Sequence, residues 1–137
     1  MKVIVAGSRN IGTEKNSRNQ LTKKAEKEKY WIFDFLSTIH RNDIDELVCG
    51  MAQGPDLIGK EWALSLGKVG VKEFPADWKG YGKAAGFIRN GQMAAYADAL
   101  IAFWDGNSRG TDHMIHVALE EGLEIHVYQT TRQPKGV

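Results

Sequence analysis

Ala99-Leu100-Ile101-Ala102-Phe103, followed by Trp104-Asp105-Gly106-Asn107-Ser108-Arg109-Gly110-Thr111-Asp112, is the stretch that decides the fold. Its first part is apolar at every position. That marks a strand buried on both faces, as in parallel sheets, rather than a half-exposed antiparallel strand with alternating polarity. Its second part is a turn of small and polar residues. From Thr111 to Glu121, Met114, Ile115, Ala118 and Leu119 then recur on one helical face, and Gly122 provides the stop. Strand, glycine-bearing turn and helix, in that order, form the repeating unit of an open α/β sheet.

The same unit recurs upstream. Val3-Ile4-Val5-Ala6 ends in Gly7 and leads to a helical pattern from about Ser17 to His40, with Leu21, Ala25, Ile32, Phe33, Leu36 and Ile39 on one face. The mixed charge run Lys23 to Lys29 is the solvated side of that helix. Glu46 to Gly50 reads as a second strand, with a helix from Pro55 to Leu66: proline suits a first helical position and Gly67 a stop. Val69 to Phe74 is a third strand, left through the loop Pro75-Ala76-Asp77-Trp78. Lys83 to Ala97 is helical, and Glu124 to Tyr128 is a fifth strand after 99–103. The expected fold is a single Rossmann-like, doubly wound parallel α/β sheet of about five strands in the order 3-2-1-4-5, with right-handed crossovers and helices on both faces. One domain over residues 1–129 and a flexible polar tail over 130–137, holding Pro134 and Gly136, account for the chain.

Bulk properties narrow the function. Eighteen basic and 17 acidic residues give a formal net charge of +1, without the basic excess of a general nucleic-acid binder. The single cysteine, Cys49, excludes an intrachain disulfide framework and reads as a small buried strand residue. The apolar run after Lys2 is too short for a secretory signal, and no stretch has the length of a membrane span. A cytoplasmic protein without membrane contact is expected.

In such a sheet ligands bind outside the carboxyl ends of the strands at the point where strand order reverses, here between strands 1 and 4. The loops converging there are Gly7-Ser8-Arg9-Asn10, Gly50-Met51-Ala52-Gln53-Gly54-Pro55-Asp56 and Asp105 to Asp112. Neither GxGxxG nor GxxxxGK[ST] is present, so the dinucleotide fingerprint and the P-loop are absent. What remains is glycine backbone, hydroxyls and arginine forks next to helix starts, a composition suited to phosphate. Asp56 has two readings, cap of its helix or ligand contact. Either Thr111 or Asp112 can cap the helix after strand 4. Arg89, on the helix leading into strand 4, can reach the same edge. Trp78 has two readings as well, a stacking surface for a base or a core residue. His113 and His116 share a helix face but lack a third ligand, so no metal and no cofactor are expected. His40 closes a helix, where an imidazolium suits the dipole. Trp31 and Phe35, off the main apolar face, are expected to bury against a second subunit.

Val5-Ala6-Gly7-Ser8-Arg9, Cys49 to Asp56, Pro75 to Trp78, Ala85 to Met93 and Gly106 to Thr111 together resemble the SLOG superfamily, named for the DNA-uptake protein DprA and the LOG cytokinin-activating enzymes. The nearest likeness is to its YspA-type branch of small bacterial and phage proteins, over residues 2 to about 128. The resemblance implies a Rossmann-like fold, a nucleotide-derived ligand and a homodimer. In LOG enzymes the ligand is a nucleoside monophosphate cut at the base–ribose bond. Arg89 and Met93 match the first part of their signature, and Asn107 to Thr111 match the second imperfectly. The position of the signature glutamate falls on Met114, which can neither donate a proton nor stabilise an oxocarbenium ion. The first expectation is therefore a sensor or binding module for a phosphorylated nucleotide. Gly7, Ser8, Arg9, Gly106, Ser108, Gly110 and Thr111 would hold phosphate, Arg89 would neutralise charge, and Asp77 or Trp78 would touch base or ribose. Gly50, Gly54, Asp56, Asn90 and Arg109 complete the ligand set. The alternative is a LOG-like nucleotide N-glycosidase using Arg89, with Asp112 or Asp77 as the acid. A DprA-like single-strand DNA binder stands third.

Overall fold

The structure is a computed structural model and describes residues 1–130. The expected tail lies, from residue 131 onward, outside the described residues. Five strands, β1 (Lys2–Gly7), β2 (Glu46–Cys49), β3 (Gly70–Glu73), β4 (Ala99–Trp104) and β5 (Glu124–Gln129), form one all-parallel sheet in the order β3-β2-β1-β4-β5. This is the order expected from the sequence. β1 is central, with Val3 opposite Leu47 on one side and opposite Ala99 on the other.

The helices are α1 (Lys23–Thr38), α2 (Pro55–Leu66), α3 (Trp78–Tyr81), α4 (Ala85–Tyr96) and α5 (Arg109–Glu120). Alternate residues of each central strand serve opposite cores. Val3, Val5, Leu47, Ile101 and Phe103 pack with Ile32 and Leu36 of α1 and Ile58 and Trp62 of α2. Ile4, Ala6, Val48, Leu100 and Ala102 pack with Met93 and Ala94 of α4 and Met114 and Ala118 of α5. The sheet is thus covered on both faces, α1 and α2 on one and α4 and α5 on the other. Burying a large apolar side chain such as Phe103 contributes about 1.5–3 kcal/mol, so two such cores supply most of the driving force.

Local chemistry shifts several boundaries. α1 begins at Lys23 rather than near Ser17 because Asn16 spends the preceding backbone locally. Its Oδ1 accepts from the amides of Arg18 (2.9 Å) and Gln20 (3.1 Å), and Asn19 adopts φ +61°. Thr22 then caps α1 by accepting from the Ala25 amide at 3.2 Å. The loop expected at 75–78 gives way to α3, capped by Asp77 through the Gly80 amide at 2.9 Å. α5 starts at Arg109, and neither Thr111 nor Asp112 caps it; Ser108 is the cap residue and contributes no side-chain bond.

Two expectations are corrected. Trp31 and Phe35 do not face outward toward a second subunit. Their rings meet Phe103 and Tyr128 edge-on, with centroids 5.1 Å (Trp31–Phe103) and 4.5 Å (Phe35–Tyr128) apart, and extend the α1–α2 core. A dimer therefore rests on the family resemblance alone. His40 is 2% exposed, and its Nε2 lies 2.8 Å from the Tyr128 hydroxyl. Burial lowers its pKa, so the neutral ring is favoured over the imidazolium inferred from the helix dipole. Among the described residues no helix is long and apolar enough to cross a membrane.

Candidate functional site

The strand order reverses at β1, and the chain leaves β1 and β4 in opposite directions, which opens a crevice at their carboxyl ends. A cleft of about 420 Å³ lies there. β1 and its loop contribute Ala6, Gly7, Arg9 and Asn10, and the β2–α2 connection contributes Ala52 and Asp56. Trp78 of α3 and Lys83 come from the segment before α4. Gly86, Phe87, Arg89, Asn90 and Met93 come from α4, and Ser108, Gly110, Thr111 and Met114 from the start of α5. Gly86, Arg89, Asn90 and Met93 follow the i, i+3, i+4, i+7 spacing of one helix face, so α4 turns a single stripe into the cleft.

The floor is a buried charge cluster. Asp56 is 4% exposed and Arg89 is 9% exposed. Arg89 donates through Nη1 to the Gly50 carbonyl and through Nε to Asn90 Oδ1 at 3.1 Å. A Cβ on Gly50 would stand 2.8 Å from Arg89 Nη1 and 2.8 Å from Asp56 Oδ2, so glycine here makes room for both charged groups. Burial pushes the Asp56 carboxyl up to about 7, against the opposing pull of Arg89 and of amides at Ala52 and Gly50. Burial also lowers the Arg89 pKa, offset by Asp56 and reinforced by Arg9. Asp56 accepts from the Ala52 amide at 3.5 Å while lining the cleft, so it serves the turn and faces the site together.

Asn90 is the joint between α4 and α5. Its amide donates to the Gly110 carbonyl at 3.2 Å and to His113 Nδ1 at 3.1 Å, which leaves the ring proton on Nε2. With Oδ1 taken by Arg89, the polar atoms of Asn90 hold the site together. The His113 ring stacks on Phe87 with centroids 4.1 Å apart and 14° between planes. Phe87 (50% exposed) and Trp78 (52% exposed) form an aromatic lip beside the cations of Arg9, Lys83 and Arg89.

The β4–α5 loop is shaped by Asp105. Its Oδ1 accepts from the amides of Asn107 and Ser108, both at 2.8 Å, and its own amide donates to Ser8 Oγ at 3.0 Å. Burial works to raise the Asp105 pKa, but these amides and the Ser8 hydroxyl outweigh it and the net shift is downward. No side chain caps α5, so the first amides of this 12-residue helix, at Arg109, Gly110 and Thr111, have no intrahelical acceptor. They carry the positive end of the helix dipole toward the cleft.

Of the residues expected from sequence, Gly7, Arg9, Asp56, Trp78, Arg89, Asn90, Ser108, Gly110 and Thr111 line the cleft. The others lie outside the lining. Ser8 is buried and ties the β1 loop to Asp105. Gly50 gives its carbonyl to Arg89, Gly54 precedes α2 at φ +91°, and Asp77 caps α3. Gly106, at φ +85°, forms the turn; Arg109 is exposed and is not part of the lining. Asp112 is exposed and lies away from the lining, with Oδ1 3.5 Å from His116 Nδ1. The buried Met114 occupies the cleft wall where the LOG signature places its glutamate. Sequence reasoning missed Lys83, Phe87 and Asp105. Only Asp105 left a usable signal, as an Asx-turn residue two and three positions before the amides it holds.

Over 106 residues, 72% of this chain and 85% of the phage protein, the sequence is 35% identical to the Gene 61 protein of Mycobacterium phage D29. The chain belongs to that protein's family. The name of the phage protein describes no activity. No protein-family model and no solved structure matches the chain.

Proposed function

We propose that the chain is a binding module or sensor for a phosphorylated nucleotide or nucleotide-derived ligand, held at the β1–β4 crevice. The observation that carries this reading is the pairing, in one cleft, of three cationic side chains and an uncapped helix start with a two-ring aromatic lip. Arg9, Lys83, Arg89 and the first α5 amides suit a phosphate. Trp78 and Phe87 suit the face of a base, and stacking of this kind is worth about 1–3 kcal/mol per base. The resemblance of the sequence to the SLOG superfamily implies a ligand of the same class.

Cleavage of the base–ribose bond is the alternative, and the residues argue against it. Met114 stands at the acid's position, and Asp112 is outside the cleft. Of the carboxylates considered for ligand or acid roles, Asp56 alone lines the cleft, and it is engaged with the Ala52 amide. The test is incubation with AMP, GMP and ADP-ribose, read by thermal shift and by chromatography of free base. Thermal stabilisation without base release is the expected result. Base release at a rate that depends on Arg89 would replace binding by hydrolysis. No stabilisation by any of the three, and no nucleotide in a native mass spectrum of freshly purified protein, would remove the nucleotide reading. The same spectrum reads the oligomeric state, for which the proposal is a homodimer.

A further inference from the structure

Asp56 makes the cleft floor unusual for an anion site. A carboxylate beside the guest is unfavourable, yet Asp56 is almost wholly buried and lines the cleft together with Arg89. Both groups close on Gly50, with Arg89 Nη1 and Asp56 Oδ2 each 2.8 Å from the position a Cβ would take there, and among the described residues they form no direct ion pair. Arg89 Nη1 is instead spent on the Gly50 carbonyl. Above about pH 7 the empty site thus holds one buried anion that leans on one buried cation through space. Any anionic guest that engages Arg89 competes for the same positive charge.

We infer that Asp56 is a proton-binding element of the site, so that an anionic ligand seated on Arg89 enters together with one proton taken up by Asp56. The inference rests on the anion-binding reading above and adds to it the charge state in which the site accepts its guest. The physical cause is the loss of Arg89 as counter-charge. Its field is the largest influence holding the Asp56 carboxyl down against burial. A phosphate on Arg89 cancels that field and adds repulsion of its own. The other charged groups do not reverse this. Arg9, from the β1 loop, faces Arg89 and is neutralised by the same guest, as is Lys83 across the cleft. On the β2 side the Cys49 thiol, pushed up to about 11 by burial, stays protonated; Lys60 and Glu73 form their own pair at 2.7 Å. His113, beside Asn90 on α5, has its pKa lowered by burial and is neutral above pH 7.

The experiment is titration calorimetry of the full chain with AMP between pH 7 and pH 9, in two buffers of different ionisation enthalpy, for wild type and for Asp56→Asn. In that window the AMP phosphate, whose second pKa is about 6, is a dianion and takes up almost no proton itself. Wild type is expected to take up close to one proton per AMP near pH 8. Its affinity should be about threefold to fivefold weaker at pH 8 than at pH 7, below the linkage ceiling of about tenfold per pH unit. Asp56→Asn should bind with little proton uptake and a nearly flat profile. Wild-type binding without proton uptake, or an Asp56→Asn variant that keeps the wild-type slope, overturns the inference and leaves the binding reading standing. Absence of AMP, GMP and ADP-ribose binding at every pH overturns both. A wild-type proton count of zero overturns the inference even if the variant fails to fold.

Discussion

Adding one methyl group at Gly50 and one at Gly91 should have opposite effects. At Gly50 the new Cβ would stand 2.8 Å from Arg89 Nη1 and Asp56 Oδ2, both on buried side chains held in place by hydrogen bonds to Gly50, Asn90 and Ala52. Overpacking of that kind costs about 1–3 kcal/mol, and displacing Arg89 from the Gly50 carbonyl loses a charge-assisted bond worth about 1.5–3 kcal/mol. Partial relaxation makes about 2–4 kcal/mol the expected loss for Gly50→Ala. At Gly91, inside α4, nothing lies within 4 Å of a built Cβ. There alanine should stabilise by about 0.4–1 kcal/mol, through helix propensity and a less disordered unfolded chain. For a domain of this size the losses translate to a Tm lowered by about 8–15 °C for Gly50→Ala and raised by about 1–4 °C for Gly91→Ala. Calorimetric melts and urea midpoints at pH 7 measure both. A Gly50→Ala protein melting within about 2 °C of wild type would refute the packing of Asp56 and Arg89 around Gly50.

Other outcomes follow from the same geometry. Trp78→Ala should weaken AMP binding by about 1–3 kcal/mol while changing the Tm little, because Trp78 is half exposed; isothermal titration beside a melt separates the two. Lys83→Ala, also at an exposed position, should weaken AMP binding and make it less sensitive to salt. Asp56→Asn should stabilise the empty protein more at pH 8 than at pH 5. The folded-state pKa is raised from 3.8 to about 7, so the stability contributed by the protonated acid is complete below about pH 4 and lost as pH rises through 7, a difference on the order of 4 kcal/mol. His40 acts in the opposite sense. Its folded-state pKa lies below 6.5, so stability should fall as pH drops below 6.5, and a His40→Asn protein should have a shallower urea-midpoint profile between pH 7.5 and 5.

Strand positions and strand order were legible because an uninterrupted apolar run such as 99–103, in a chain of this length, suits little besides a strand covered on both faces. The bounds of α2 were legible because Pro55 and Gly67 act through local backbone chemistry. The cleft stripe of α4 was legible in part: Arg89 and Asn90 were read as site residues, but Asn90 turned out to bond its neighbours rather than await a ligand. Lys83 and Phe87 were missed because their place depends on α3 and on the path of the chain between residues 78 and 85, which no periodicity encodes. Trp31, Phe35 and His40 were misread for a related reason. Their partners, Phe103 and Tyr128, are about 70 to 90 residues away, and helix-face arithmetic carries no record of an aromatic supplied from that distance.

The central place of β1 also has a cost during synthesis. Val3 and Ile4 are fully buried in the finished protein, yet their partners at Leu47 and Val48, and then at Ala99 and Leu100, are made much later. At roughly 5–20 residues per second the ribosome needs several seconds to deliver β4 after β1. Throughout that interval one of the most water-averse segments of the chain has an open hydrogen-bonding edge, so nascent copies on one message are exposed to one another and a holding chaperone has a clear point of attack.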